Sequence, residues 1–86
     1  MTFVATPVAA GRESRLVDAR GSYCPGPLME LIRAIRESPV GTVIVVRSSD
    51  RGSKIDIPKW VEKAGHRLVG VESKDGYDEI TVEKMR

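Results

Sequence analysis

The sequence predicts an α/β (α+β) two-layer sandwich in the order β-α-β-α-β-β, a four-stranded mixed sheet with two helices packed on one face. Three observations carry this expectation. Two apolar stripes recur at i, i+3, i+4 and i+7: Leu28, Leu31, Ile32 and Ile35, then Ile57, Trp60, Val61 and Ala64. Between them lies a β-branched run, Thr42 to Ser48, with little alternation, as in a central strand. The last two strand-like runs are separated by Asp75-Gly76, a pair that tolerates the positive φ of a tight hairpin.

The elements follow in order. Ser14 to Arg20 has Leu16, Val17 and Ala19 flanked by charge and reads as a short strand closed by Gly21-Ser22. A first helix runs from Pro25 to Glu37 and stops at Ser38-Pro39, where the proline removes an N–H. A second spans Lys54 to Ala64. Ser53 and Asp56 resemble a capping box, and Pro58 moves the regular part toward Asp56. Gly65 is placed to close this helix in a left-handed conformation. Arg67 to Ser73 and Tyr77 to Lys84 form the last two strands, the latter with Ile80 and Val82 on one face. Two right-handed crossovers onto one sheet place both helices on the same side.

With 86 residues there is room for one small domain. Residues 1–13 read as a flexible N-terminal tail and 14–86 as the folded domain. The net charge of +2 and four aromatic residues give no case for a nucleic acid as main partner. One cysteine excludes an internal disulfide, and with one histidine it leaves too few soft ligands for a structural zinc site. No run approaches a membrane span. A cytoplasmic monomer without cofactor or metal is expected.

The single cysteine is the centre of the functional reading. Cys24 precedes Pro25 and is biased toward extended backbone, as an N-cap would be; Pro25 then falls at the first helical position, where its missing N–H costs nothing. Pro27 is tolerated for the same reason. Gly26 is left as the free N–H donor beside the sulfur, and the positive end of the helix dipole would favour a thiolate there. Such a thiolate can attack a sulfur donor and pass the adduct to a second thiolate. The bland alternative is a small buried hydrophobe.

No complete catalytic apparatus accompanies Cys24. His66, the only histidine, follows the Gly65 cap and reads as structural; a C-x-x-C mechanism lacks its second cysteine. Arg20, Arg36, Arg51 and Lys54 are candidates for an electropositive rim at one end of the sheet, with Arg20, Arg51 and Lys54 the anion- or partner-binding candidates. Trp60 and Tyr77 read as core and sheet residues, and Asp50 and Asp56 as turn and cap residues.

The combination Leu16-Val17-Asp18-Ala19-Arg20-Gly21, Cys24-Pro25-Gly26-Pro27-Leu28, Asp50, Asp56-Ile57-Pro58-Lys59-Trp60 and Gly65-His66-Arg67-Leu68 resembles the TusA (SirA-like) family of sulfur-carrier proteins, from Leu16 to Lys84. The resemblance implies the same fold and a cysteine, here Cys24, that carries sulfane sulfur as a persulfide framed by Pro25 and Pro27. It also implies a donor protein, a cysteine desulfurase or rhodanese, and an acceptor protein in tRNA thiolation, cofactor synthesis or sulfur oxidation, where the cargo is a thiosulfonate. Two positions depart from the family pattern. Val61 stands where members often have a second cysteine, and Arg51 where a proline often follows the aspartate. Two other classes stay open on the residues alone: a non-enzymatic regulatory or adaptor module with a structural or redox-sensing cysteine, and an RNA-binding module.

Overall fold

The computed structural model describes residues 14–23 and 25–86. The expected tail, 1–13, and Cys24 itself lie outside the described residues. The elements are β1 (Ser14–Asp18), α1 (Gly26–Arg36), β2 (Val43–Ser48), α2 (Arg51–Ala64), β3 (Arg67–Ser73) and β4 (Asp78–Glu83). They form one four-stranded sheet in the order β1-β2-β4-β3. β1 and β2 are parallel, while β4 runs antiparallel to both β2 and β3. Both helices lie on one face, α1 against β1 and β2, α2 against β3 and β4, and they touch each other. No helix among the described residues is long and apolar enough to cross a membrane.

Alternation along the two central strands builds the core. Ile44, Val46, Ile80 and Val82 point at the helices and are fully buried, and Leu31, Ala34, Ile35, Ile57 and Val61 meet them from above. Each Leu, Ile or Val side chain among them contributes about 2 kcal/mol when removed from water. The buried stripe of α1 is Pro27, Leu31, Ala34 and Ile35; Ile32 lies at its margin. No described helix or strand packs on the opposite face of the sheet. Arg47–Glu79 and Arg67–Glu83, both in direct cross-strand register, are ion-paired there at 2.9 Å.

β3 is an edge strand and is exposed along its whole length, although Leu68, Val69 and Val71 are apolar. A register irregularity between Leu68 and Gly70 explains how adjacent apolar residues fit a strand. It brings Leu68 opposite Val82 and Val71 opposite Ile80, so both lean toward the core side.

Both helix starts differ from the sequence expectation. The N-cap of α1 is Pro25 (φ −91°, ψ 14°), one residue later than expected, with Gly26 and Pro27 as its first helical residues. α2 begins at Arg51, capped by extended Asp50, so Pro58 sits inside the helix. Pro58 offers no N–H to the Lys54 carbonyl. Burial of Ile57 and Val61 on either side of it keeps the helix continuous. Ser53 is the third helical residue, and its hydroxyl donates to the Asp50 carboxylate at 3.2 Å, an inversion of the expected box. The α2 terminus matches expectation: Gly65 has φ +81°, and the His66 N–H returns to the Val61 carbonyl. At the end of α1 the Lys84 ammonium donates to the carbonyls of Ile35 and Ser38, both at 2.6 Å.

Candidate functional site

Chain direction decides which loops share an end. β1 and β2 are parallel and α1 and α2 each return antiparallel to them, so the loops after β1, after β2 and between β3 and β4 gather at one end of the sheet. That end carries Ala19 to Tyr23, Pro25, Ser49-Asp50 and Lys74 to Tyr77. Helix starts α1 and α2 both face it, each with the positive end of its dipole.

The loop leading to Cys24 is anchored at several points. The Ala19 side chain is buried and its N–H donates to the Arg47 carbonyl at 2.8 Å. Ser22 N–H closes a turn onto the Ala19 carbonyl, with Gly21 at φ +89°, and Gly21 N–H donates to the Ser49 hydroxyl at 2.9 Å, tying this loop to the one before α2. Beyond Cys24, Pro27 is fully buried and pins the first turn of α1 to the core. Tyr23 is 79% exposed and Pro25 is exposed, so the residues on both sides of Cys24 face solvent.

Gly26 departs from the reading of its sequence. Its N–H is not a free donor: it bonds the Tyr23 carbonyl at 2.6 Å, because the loop turns back on itself before the helix begins. Its missing Cβ matters within the chain as well, since a Cβ there would stand 3.2 Å from the Ser22 Cβ. The glycine thus permits loop and helix to approach, whatever docks outside.

Of the basic candidates, Arg20, Arg51 and Lys54 are at the Cys24 end. Arg36 ends α1 and therefore lies at the opposite one. Arg20 forms a two-pronged pair with Asp18, both contacts at 2.8 Å, which holds the Asp18 carboxyl down to about 2 and raises Arg20. Its guanidinium also lies over the Tyr77 ring, 5.0 Å from the centroid, with Arg47 at 5.8 Å. Tyr77 is therefore a hairpin residue gripped by two arginines, not a strand residue. Lys54 donates to the Ser73 hydroxyl at 3.1 Å and lies 3.9 Å from Asp78. Arg51, Lys54 and Ser49 share a concavity with the β3–β4 hairpin.

His66 lies at the far end of α2. A helix of 14 residues spans about 21 Å at 1.5 Å per residue, which removes His66 from the Cys24 end. Burial first, then Lys84 and Arg86, push its pKa below the ordinary value, and its Nδ1 accepts the Met85 N–H at 3.1 Å. Its role is to tie the C-terminal strand to the α2 cap. Trp60 packs on the core, 5.7 Å from the His66 ring.

The described residues thus form a two-layer β-α-β-α-β-β domain in which the loops after both parallel strands and the starts of both helices share one end. Residues 15–84 match the family Sulfurtransferase TusA, and the chain belongs to that family. A putative sulfur carrier protein of Archaeoglobus fulgidus is 55% identical over 71 residues, 83% of this chain and 97% of that one. The sulfur carrier protein TusA of Pseudomonas syringae pv. syringae is 37% identical over 60 residues, 70% of this chain and 71% of that one. A SirA-like protein from Desulfitobacterium hafniense has a similar crystal structure, with a TM-score of 0.73 at 26% identity, covering 84% of this chain and 99% of the other.

Proposed function

We propose that this protein is a sulfur carrier in which Cys24 holds sulfane sulfur between a donor and an acceptor protein. The observation that carries the reading is the pair of exposed residues on either side of Cys24 in the sequence, Tyr23 and Pro25, at the start of α1, with buried Pro27 anchoring the helix behind them. Membership of a family whose relatives are named sulfur carriers supports it.

The chemistry is a thiol exchange without net oxidation. The Cys24 thiolate attacks the terminal sulfur of a donor persulfide. A new S–S bond forms, the donor's S–S bond breaks, and the donor leaves as a thiolate, the persulfide proton staying on the transferred sulfur. An acceptor thiolate repeats the attack on the loaded Cys24, which departs as thiolate. The positive end of the α1 dipole favours the anionic form at each stage. With His66 at the other end of the domain, the partners supply any acid or base. A cysteine desulfurase or rhodanese is the expected donor class; with tetrathionate, the Cys24 thiolate forms an S–S bond to an inner sulfur, the central S–S bond breaks and thiosulfate leaves, and the resulting thiosulfonate suits the same basic end.

The competing reading, an adaptor with a structural cysteine, differs in a measurable property of the thiol. The carrier reading expects Cys24 to alkylate rapidly, with a rate-against-pH midpoint below the ~8.5 of an ordinary cysteine. A slow, shielded thiol with an ordinary midpoint would favour the adaptor.

A further inference from the structure

The first turn of α2 and the β3–β4 hairpin enclose an open groove of about 710 Å³ at the end of the sheet that bears the Cys24 loop. Arg51, Lys54 and Ile55 stand at i, i+3 and i+4, so they share one face of α2, beside the Ile57, Val61 stripe. Lys74 and Tyr77 form the opposite wall, and Ser49 closes the side nearest the Cys24 loop.

The lining of this groove carries more positive than negative charge. Arg51 makes no ion pair with another described residue. Lys54 contacts Asp78 only at 3.9 Å, and Lys74 is paired with exposed Glu72 at 3.2 Å. Three cations from two elements therefore face one lining carboxylate, beside the positive start of α2. The lining also holds apolar surface: Ile55 is 59% exposed on an otherwise polar helix face, and the partly buried Tyr77 borders the same groove.

We propose that this groove docks an extended acidic segment of a partner protein, with carboxylates on Arg51, Lys54 and Lys74 and an apolar side chain on Ile55 and Tyr77. The proposal rests on the carrier reading for its purpose, which is to hold a partner's chain beside Cys24. A single small oxyanion would occupy a fraction of the groove and leave Ile55 in water. A nucleic acid would find one aromatic ring, and that ring already carries Arg20 and Arg47. Tyr77 also couples the groove to the Cys24 loop, because the arginine on its ring, Arg20, belongs to that loop.

The test is an amide chemical-shift titration of the full chain with a synthetic peptide, Asp-Glu-Leu-Glu-Asp, with its Asn/Gln counterpart, and with a single-stranded oligothymidylate. The acidic peptide is expected to move the amides of Arg51, Ile55, Gly76 and Tyr77, to weaken as salt is raised, and to lose about tenfold in affinity in R51E and again in K74E. No shifts, shifts elsewhere, equal binding of the neutral peptide, unchanged binding by both variants, or binding of the oligonucleotide at these amides would each overturn it. No sulfur donor is present, so the two readings fail separately. A protein that binds the peptide but never takes sulfur on Cys24 refutes the carrier and leaves the groove; one that takes sulfur but ignores the peptide refutes the groove alone.

Discussion

At the scale of single residues, the Cys24 end is held by a few short contacts whose removal has distinct signatures. The Arg20–Asp18 pair depresses the Asp18 carboxyl, so its contribution to stability is present above the unfolded-state value of ~3.9 and fades as pH falls toward 2. Carboxyl-carbon NMR is expected to place the Asp18 midpoint near 2. In R20Q that midpoint should return toward the ordinary value. Gly26 makes a second case. Because its absent Cβ would press on the Ser22 Cβ at 3.2 Å, G26V should lose about 1 kcal/mol in urea unfolding, and S22G should recover part of that loss. A full loss with no recovery would place the strain elsewhere. In the sequence the Gly26 N–H looks free because a helix start offers it no helical partner; the Tyr23 carbonyl is a loop acceptor that no periodicity reveals.

At the scale of elements, both helix ends opposite the Cys24 loop are closed by specific groups. Lys84 caps α1 with two charge-assisted bonds, so K84M should cost about 2 kcal/mol in chemical denaturation while leaving Cys24 alkylation unchanged. Gly65 ends α2 at φ +81°, and G65A should cost about 1 kcal/mol. The next residue links this cap to pH. His66 has a lowered pKa, so its neutral form is the one the fold accepts. Stability is complete above the unfolded-state value of ~6.5 and declines as pH falls from there toward the folded-state value. A ring-proton titration of His66 with its midpoint below that of a free histidine would confirm the direction.

At the scale of the whole molecule, strand order and helix direction bring the loop that leads to Cys24 to the same end as the start of α2 and the β3–β4 hairpin. The apolar periods of α1 and α2, the β-branched β2 and the Asp75-Gly76 turn were sufficient to read the β-α-β-α-β-β order, because each is a local pattern that burial enforces. The start of α2 was not legible, since Pro58 argues locally for a later beginning and the burial of Ile57 and Val61 overrides it. Arg36 was grouped with the other arginines because charge has no period; chain direction alone separates it from Arg20 and Arg51. The groove has one sequence signal, Ile55, an apolar residue out of phase with the α2 stripe; the hairpin that forms its other wall is joined to α2 only by the fold.

The central claim, that Cys24 carries sulfur, is tested most directly by intact and peptide-level mass measurement after incubation with a cysteine desulfurase and cysteine, or with tetrathionate. The expected result is one adduct per chain on the peptide containing Cys24, removed by excess thiol and absent in C24S. An unmodified protein with every donor, or an equal adduct in C24S, would contradict it.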